Sequence, residues 1–205
     1  MRCWVTDMRM ILASNNKKKM LEMQALLSDL GIEIVSPRDA GCDFEVEETG
    51  TTFEENSYLK AAAVTRATGE IAVADDSGLM VDALDGAPGV YSARFTGSHE
   101  ATDEERYLFL LHKLEGVSER SAKFVCCITC TFPNGDVLRA RGECPGHIAA
   151  EPCGSGGFGY DPVFIPDGFA ETMAELGSEI KNQIAHRGKA IRKFKEELKK
   201  YYADK

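Results

Sequence analysis

Short apolar strand signals alternating with capped, amphipathic helix signals predict an α/β chain, and three stretches carry that expectation. Met10-Ile11-Leu12-Ala13 is a buried-type strand, followed by a polar loop, a helix over about residues 18–30 and a second strand at Ile32–Val35. Ile71-Ala72-Val73-Ala74 is another buried-type strand, running into Asp75-Asp76 and a Ser77-Gly78 turn. Ser121–Phe132 and Val137–Cys144 read as strands joined by Pro133-Asn134-Gly135-Asp136, a strong hairpin signal.

The residues ahead of Met10 show no periodicity and read as an extension or an upstream start, with Met8 and Met10 as alternative starts. In the first helix Met20, Met23, Leu26, Leu27 and Leu30 share a face, and Gly31 is the stop. Phe44–Gly50 is an acidic strand-to-loop segment. Thr52-Phe53-Glu54-Glu55 is a capping box that opens a helix ending at Gly69. Asn56 and Lys60 lie one turn apart on that helix and share a face. Leu79–Leu84 is a short apolar patch, Gly86–Gly89 a turn, and Val90–Phe95 reads as extended. A second capping box, Thr102–Glu105, starts a helix to Leu114 with Leu108, Leu111 and Leu114 on its buried side. Gly154–Gly159 holds four glycines in six residues, which lets backbone approach a ligand closely, and Phe158 and Tyr160 interleave. From Thr172 the chain reads as helical with an interruption at Ala185–Gly188, and the later lysines and glutamates form a solvated face.

At 205 residues the chain is one domain, or one domain with two lobes, without repeat or linker. Its net charge of −9 makes it a poor general binder of nucleic acid, which is held by phosphate neutralisation. No apolar run reaches membrane-span or signal-peptide length, so no membrane partner and a cytoplasmic location are expected. Seven cysteines without disulfide-scaffold spacing fit reduced thiols. Cys127 and Cys130 match C-x-x-C, but residues three apart in a strand face opposite sides, so core packing is the reading. His99, His112, His147 and His186 show no metal-ligand spacing.

Two segments point to chemistry. Asp75 and Asp76 stand where a strand ends, on a rigid mount beside a loop, and must point opposite ways. Paired acids there suit Mg²⁺ and phosphate, because that cation takes oxygen ligands and keeps several waters; the alternative is a turn capped by Asp and Ser. Ser14-Asn15-Asn16-Lys17-Lys18-Lys19 opens a helix, where free N–H groups favour an anion. Consecutive lysines are wrong for that positive end unless a phosphate sits among them or water solvates them.

Six motifs in order carry a family resemblance. They are Ser14-x-Asn16-x-x-Lys19, Glu47-Glu48-Thr49-Gly50-x-Thr52-Phe53-x-Glu55-Asn56, Ala74-Asp75-Asp76-Ser77-Gly78-Leu79, Gly86-Ala87-Pro88-Gly89-x-Tyr91-Ser92-Ala93-Arg94, Gly156-Gly157-Phe158-Gly159-Tyr160-Asp161-Pro162 and His186-Arg187-Gly188. From Met10 to about Leu198 the chain resembles the noncanonical purine nucleoside triphosphate pyrophosphatases, the inosine triphosphatase or Ham1/RdgB family. The resemblance implies an elongated mixed sheet with flanking helices and two lobes around a substrate cleft. It implies Mg²⁺-dependent hydrolysis of ITP, dITP and XTP to monophosphate and pyrophosphate by a homodimer. Glu48 and Asp76 would hold the metal, and the sequence leaves open which of Asp75 and Asp76 is the base. Ser14, Asn15, Asn16, Lys17, Lys18, Lys19 and Lys60 would face the triphosphate, with Ser77 beside them. Phe158, Gly159, Tyr160, Asp161, Lys181, His186 and Arg187 would face the base, Arg187 donating to the 6-keto oxygen. Ser14 stands where Thr is common, keeping the hydroxyl, and Ala185 stands where Ser usually precedes His-Arg-Gly.

Overall fold

A computed structural model describes residues 8–14, 16–42, 46–98 and 100–204, and for Lys17 and Lys18 the backbone alone. The strands are β1 (Met8–Leu12), β2 (Ile32–Val35), β3 (Ala72–Val81), β4 (Ser121–Thr131), β5 (Val137–Ile148) and β6 (Phe164–Pro166). The helices are α1 (Lys17–Leu27), α2 (Phe53–Thr68), α3 (Asp103–Lys113), α4 (Ser178–Ile184) and α5 (His186–Ala203). The strands form a six-stranded mixed sheet in the order β2-β1-β3-β4-β5-β6. β1 runs parallel to both β2 and β3, whereas β5 and β6 are antiparallel. Among the described residues no helix is long and apolar enough to cross a membrane.

The chain divides into two compact units. The first contains residues 1–76, 126–142 and 189–205. In α1, Met23 and Leu27 are buried and Met20 and Leu26 partly so, as the periodicity predicts. Its last turn tightens into a 3₁₀ segment, Ser28–Leu30, closed by Gly31 at φ 68°. α2 carries the predicted capping box, with Glu55 N donating to Thr52 Oγ1 and Thr52 N to Glu55 Oε2. The buried face of α2 meets β4 through hydroxyl pairs, Ser57 with Thr129 at 2.8 Å and Thr65 with Thr131 at 2.7 Å. Each buried hydroxyl thereby keeps a partner. Ala190, Ile191, Phe194 and Leu198 of α5 complete this core with Met10, Leu12 and Ile128.

The second unit contains residues 77–125 and 143–188, around a core that includes Leu79, Leu110, Phe124, Phe164 and Met173. Several expectations are corrected here. Gly89–Arg94 is a 3₁₀ segment rather than an extended run. Ser92 Oγ donates to Gly89 O at 2.7 Å and accepts from Leu79 N at 3.0 Å, which closes the turns. In α3 the buried position is Leu110, Leu111 is partly buried and Leu114, just past the helix, is buried as expected, whereas Leu108 is 46% exposed. Residues 172–177 are not helical: Thr172 is buried, its hydroxyl donating to Cys153 O. The helical interruption is Ala185 alone, at φ −64° and ψ 150°, so His186-Arg187-Gly188 opens α5.

Candidate active site

The turn expected after Ala74 is not there: β3 continues through Asp75, Asp76, Ser77 and Gly78 to Val81. Asp75 is 1% and Asp76 7% exposed, so both acids sit inside the sheet instead of at a wet strand end. Burying carboxylates is costly unless they are paired, and two lysines from separate helices pair them. Lys19 Nζ of α1 donates to Asp75 Oδ1 at 2.5 Å and to the Asp75 carbonyl at 3.3 Å. Lys60 Nζ of α2 donates to Asp76 Oδ1 and to Glu48 Oε1, each at 2.8 Å, and to the Asp75 carbonyl at 3.1 Å. The side-chain alternation of a strand thus gives neighbouring acids different lysines. On its other oxygen, Asp75 Oδ2 accepts from the Cys126 thiol of β4 at 3.1 Å.

The loops around these acids are tied to helix starts. Ser14 Oγ accepts from Asn16 N at 3.2 Å and Asn16 Oδ1 from Lys19 N at 3.2 Å, so both residues satisfy amides at the start of α1. Asn15 and the side chains of Lys17 and Lys18 lie outside the described residues. So do Phe44 and Glu45 of the acidic segment, whose remainder, Val46–Gly50, is irregular. Asn56 anchors the Glu48 loop, its Oδ1 accepting from Gly50 N at 2.8 Å. A Cβ at Gly50 would lie 2.6 Å from that oxygen and 2.7 Å from Glu55 Cβ, so only glycine fits.

Electrostatically the group is three carboxylates against two ammonium ions. Burial works against the Lys60 ammonium, but Asp76 and Glu48 outweigh it and hold its pKa above the ordinary lysine value. Burial lifts the Asp76 pKa above the usual carboxylate range, with Lys60 pulling the other way. Among the described residues no three His, Cys, Asp or Glu side chains cluster tightly enough to cage a metal. The donor set nevertheless fits a hard divalent cation, which takes oxygen ligands and can be bound through one or two carboxylates with water completing its shell. The Lys60 ammonium, 2.8 Å from both Glu48 and Asp76, stands in for such a cation.

In the second unit, an aromatic and basic group gathers around Phe158. Lys181 Nζ lies 4.9 Å and Arg187 Cζ 5.6 Å from its ring centroid, both in cation–π range. Asp161 Oδ2 fixes the group, accepting from Lys181 Nζ at 2.5 Å and from Phe158 N at 2.9 Å. Gly157, at φ +78°, must be glycine: a Cβ would lie 2.1 Å from Asp161 Oδ2. Arg187 donates to Ser77 Oγ at 3.1 Å. His186 stacks on Phe124 at 4.8 Å with the rings 12° apart. Asp103, at the start of α3, accepts from Gly159 N at 2.8 Å. Tyr160 turns into the core, its phenol donating to Ser92 O at 2.8 Å and its pKa pushed up by burial. That is a packed position inside the second core.

Residues 10–197 match the Ham1 family along their whole run. The chain belongs to the Ham1 family. It is 49% identical over 197 residues to the dITP/XTP pyrophosphatase of Desulforamulus reducens, covering 95% of this chain and 98% of that one. It is 47% identical over 191 residues to the protein of the same name from a strain of Exiguobacterium, covering 93% and 97%. The fold is similar to that of a HAM1 protein from Coxiella burnetii, with a TM-score of 0.88 and 42% identity over 95% of this chain and 100% of that one. The Ham1 protein of Staphylococcus aureus gives 0.87 and 40% over 94% and 99%.

For this Ham1-family chain, the fold brings Glu48, Lys60, Asp76, Asp75 and Lys19 into one bonded network, and Phe158, Asp161, Lys181 and Arg187 into another. Sequence reasoning passed over Cys126, Asn56 as a loop anchor and Asp103. The Asn56 position had a signal, its shared helix face with Lys60. Cys126 had none, because its partner Asp75 lies 51 residues away.

Proposed function

We propose that this chain hydrolyses noncanonical purine nucleoside triphosphates, dITP, ITP and XTP, to the monophosphate and pyrophosphate. The observation that carries the reading is the convergence of Glu48 and Asp76 on one ammonium ion, beside a lysine-bearing helix start. Relatives named dITP/XTP pyrophosphatase, at 47% and 49% identity, support it.

Glu48 and Asp76 would hold Mg²⁺, which when bound neutralises phosphate oxygens and makes a bound water more acidic. Asp75 has one oxygen on Lys19 and the other on Cys126, so its part is to hold Lys19. Asp76 has Oδ1 on Lys60, and its Oδ2 carries no hydrogen bond among the described residues, which suits it to bind the metal and orient the attacking water. Lys19 and Lys60 offset charge on the phosphates, with Ser14 and Asn16 keeping the first turn of α1 in place. Water bonds to the α-phosphorus as one of its protons passes to bulk solvent, and pyrophosphate leaves with the bonding pair of the broken P–O bond. Phe158 offers its ring to the purine, and Arg187 donates to the 6-keto oxygen, where adenine would present an amino donor. A site built on such a bond rejects the wrong partner by about 10⁴. The acting species we propose is a cytoplasmic homodimer.

A nucleotide panel with pyrophosphate detection, run with and without Mg²⁺, tests this. The expected result is a kcat/KM for dITP, ITP and XTP far above that for ATP, GTP or dTTP, lost on chelation. A pyrimidine preference, or binding without pyrophosphate release, would overturn it.

A further inference from the structure

We infer that Cys126 is a positioning residue for the triphosphate end of the site, acting through Asp75 on Lys19. The inference rests on the proposed reading that Lys19 holds phosphate. Cys126 lies on β4, next to β3 in the sheet, and is fully buried. Its Sγ donates to Asp75 Oδ2 at 3.1 Å, while Asp75 Oδ1 receives Lys19 Nζ at 2.5 Å. One carboxylate therefore ties α1, β3 and β4 together. A carboxylate bonded at a single oxygen still turns about its Cβ–Cγ bond; a donor on the second oxygen locks that rotation and with it the lysine. Without the thiol, Asp75 Oδ2 would lose this buried hydrogen bond and Asp75 would reorient at the expense of Lys19. Cys127, the next residue, turns instead toward Arg141, its sulfur 3.9 Å from that guanidinium, as strand alternation requires.

Serine, alanine and valine at position 126 separate donor from filler. A donor role predicts that Cys126→Val and Cys126→Ala weaken inorganic pyrophosphate binding and raise KM for dITP by about tenfold, the scale of one hydrogen bond to a charged group. kcat should change far less, and Cys126→Ser should recover most of the affinity. A packing role predicts the opposite order, with valine tolerated and serine penalised. In a Lys19→Met background the valine substitution should add no further loss of pyrophosphate affinity. As a check that needs no change at position 126, the S–H stretch of one buried thiol should lie at lowered frequency in the native protein. It should return to the ordinary range in Asp75→Asn. The inference is overturned if Cys126→Val binds pyrophosphate like the native protein, if serine is as poor as valine, if the losses add in full, or if no S–H band moves. A native protein that binds pyrophosphate but hydrolyses no triphosphate would refute the proposed activity and leave the binding comparison to judge Cys126.

Discussion

Asp75 and Asp76 are chain neighbours with the same chemistry, yet their hydrogen-bond surroundings differ. Asp75 is bonded at both oxygens, to Lys19 and Cys126, and Asp76 at one, to Lys60. Asp76→Asn should therefore abolish turnover while the protein still melts cooperatively. Asp75→Asn should chiefly raise KM by loosening Lys19. Steady-state kinetics on the two variants would show equal kcat losses if the distinction is wrong. Lys60 is the cation that keeps Glu48 and Asp76 together. Lys60→Met leaves two partly buried carboxylates facing each other, a loss of about 3 kcal/mol by the cost of breaking a buried pair. Because Mg²⁺ would replace that charge, denaturant melts of the variant should regain part of the loss with Mg²⁺ and none with a chelator. A variant equally stable in both conditions would count against Glu48 and Asp76 as the metal pair.

Helices α2 and α3 each begin with a reciprocal capping box, Thr52 with Glu55 and Thr102 with Glu105. Backbone N–H groups of Thr51 and Thr102 donate to these glutamates and hold their pKa values below the ordinary glutamate value. A carboxylate with a depressed folded-state pKa stabilises the fold above its unfolded pKa, and that contribution fades as pH falls through the folded value. Glu55→Gln and Glu105→Gln should thus flatten the loss of stability below about pH 4.5, measured by melting temperature against pH; an unchanged acid limb would contradict the boxes as charged caps. These helix starts were legible in the sequence because their bonds span three residues. The continuation of β3 was not. Asp-Asp-Ser-Gly is locally turn-like, and partners distant in the chain, Lys19 and Lys60 at 56 and 16 residues from their acids and Cys126 at 51, make it tolerable inside a sheet. The 3₁₀ segment at Gly89–Arg94 hid for the same reason, since Ser92 closes it by accepting from Leu79 N, 13 residues back. β6 is three residues long and exists only through its antiparallel pairing with Gly146–Ile148, which no local pattern announces.

On the scale of the whole molecule, neither compact unit is a continuous piece of chain. The first is assembled from residues 1–76, 126–142 and 189–205, so its core waits for the C-terminal helix. Ala190, Ile191, Phe194 and Leu198 of α5 are buried in the same cluster as Met23 and Leu27 of α1, the helix that carries Lys19. The lysine's position is thereby tied to packing near the far end of the chain. Truncating Phe194 to alanine should cost about 3–5 kcal/mol, the usual loss for a buried phenylalanine, and lower the melting temperature by roughly 10 °C for a chain of this size. Such a loss is a large share of the 5–15 kcal/mol that typically holds a domain. Ending the chain at Gly188 removes all four side chains, and the expected product does not fold: it should show no cooperative melt and no pyrophosphate binding. The motif set from Ser14 to Asp76 would still be present in that shortened chain. Its failure would therefore separate having the site residues from having a site, whereas a shortened chain that melts cooperatively and binds pyrophosphate would refute the dependence on α5.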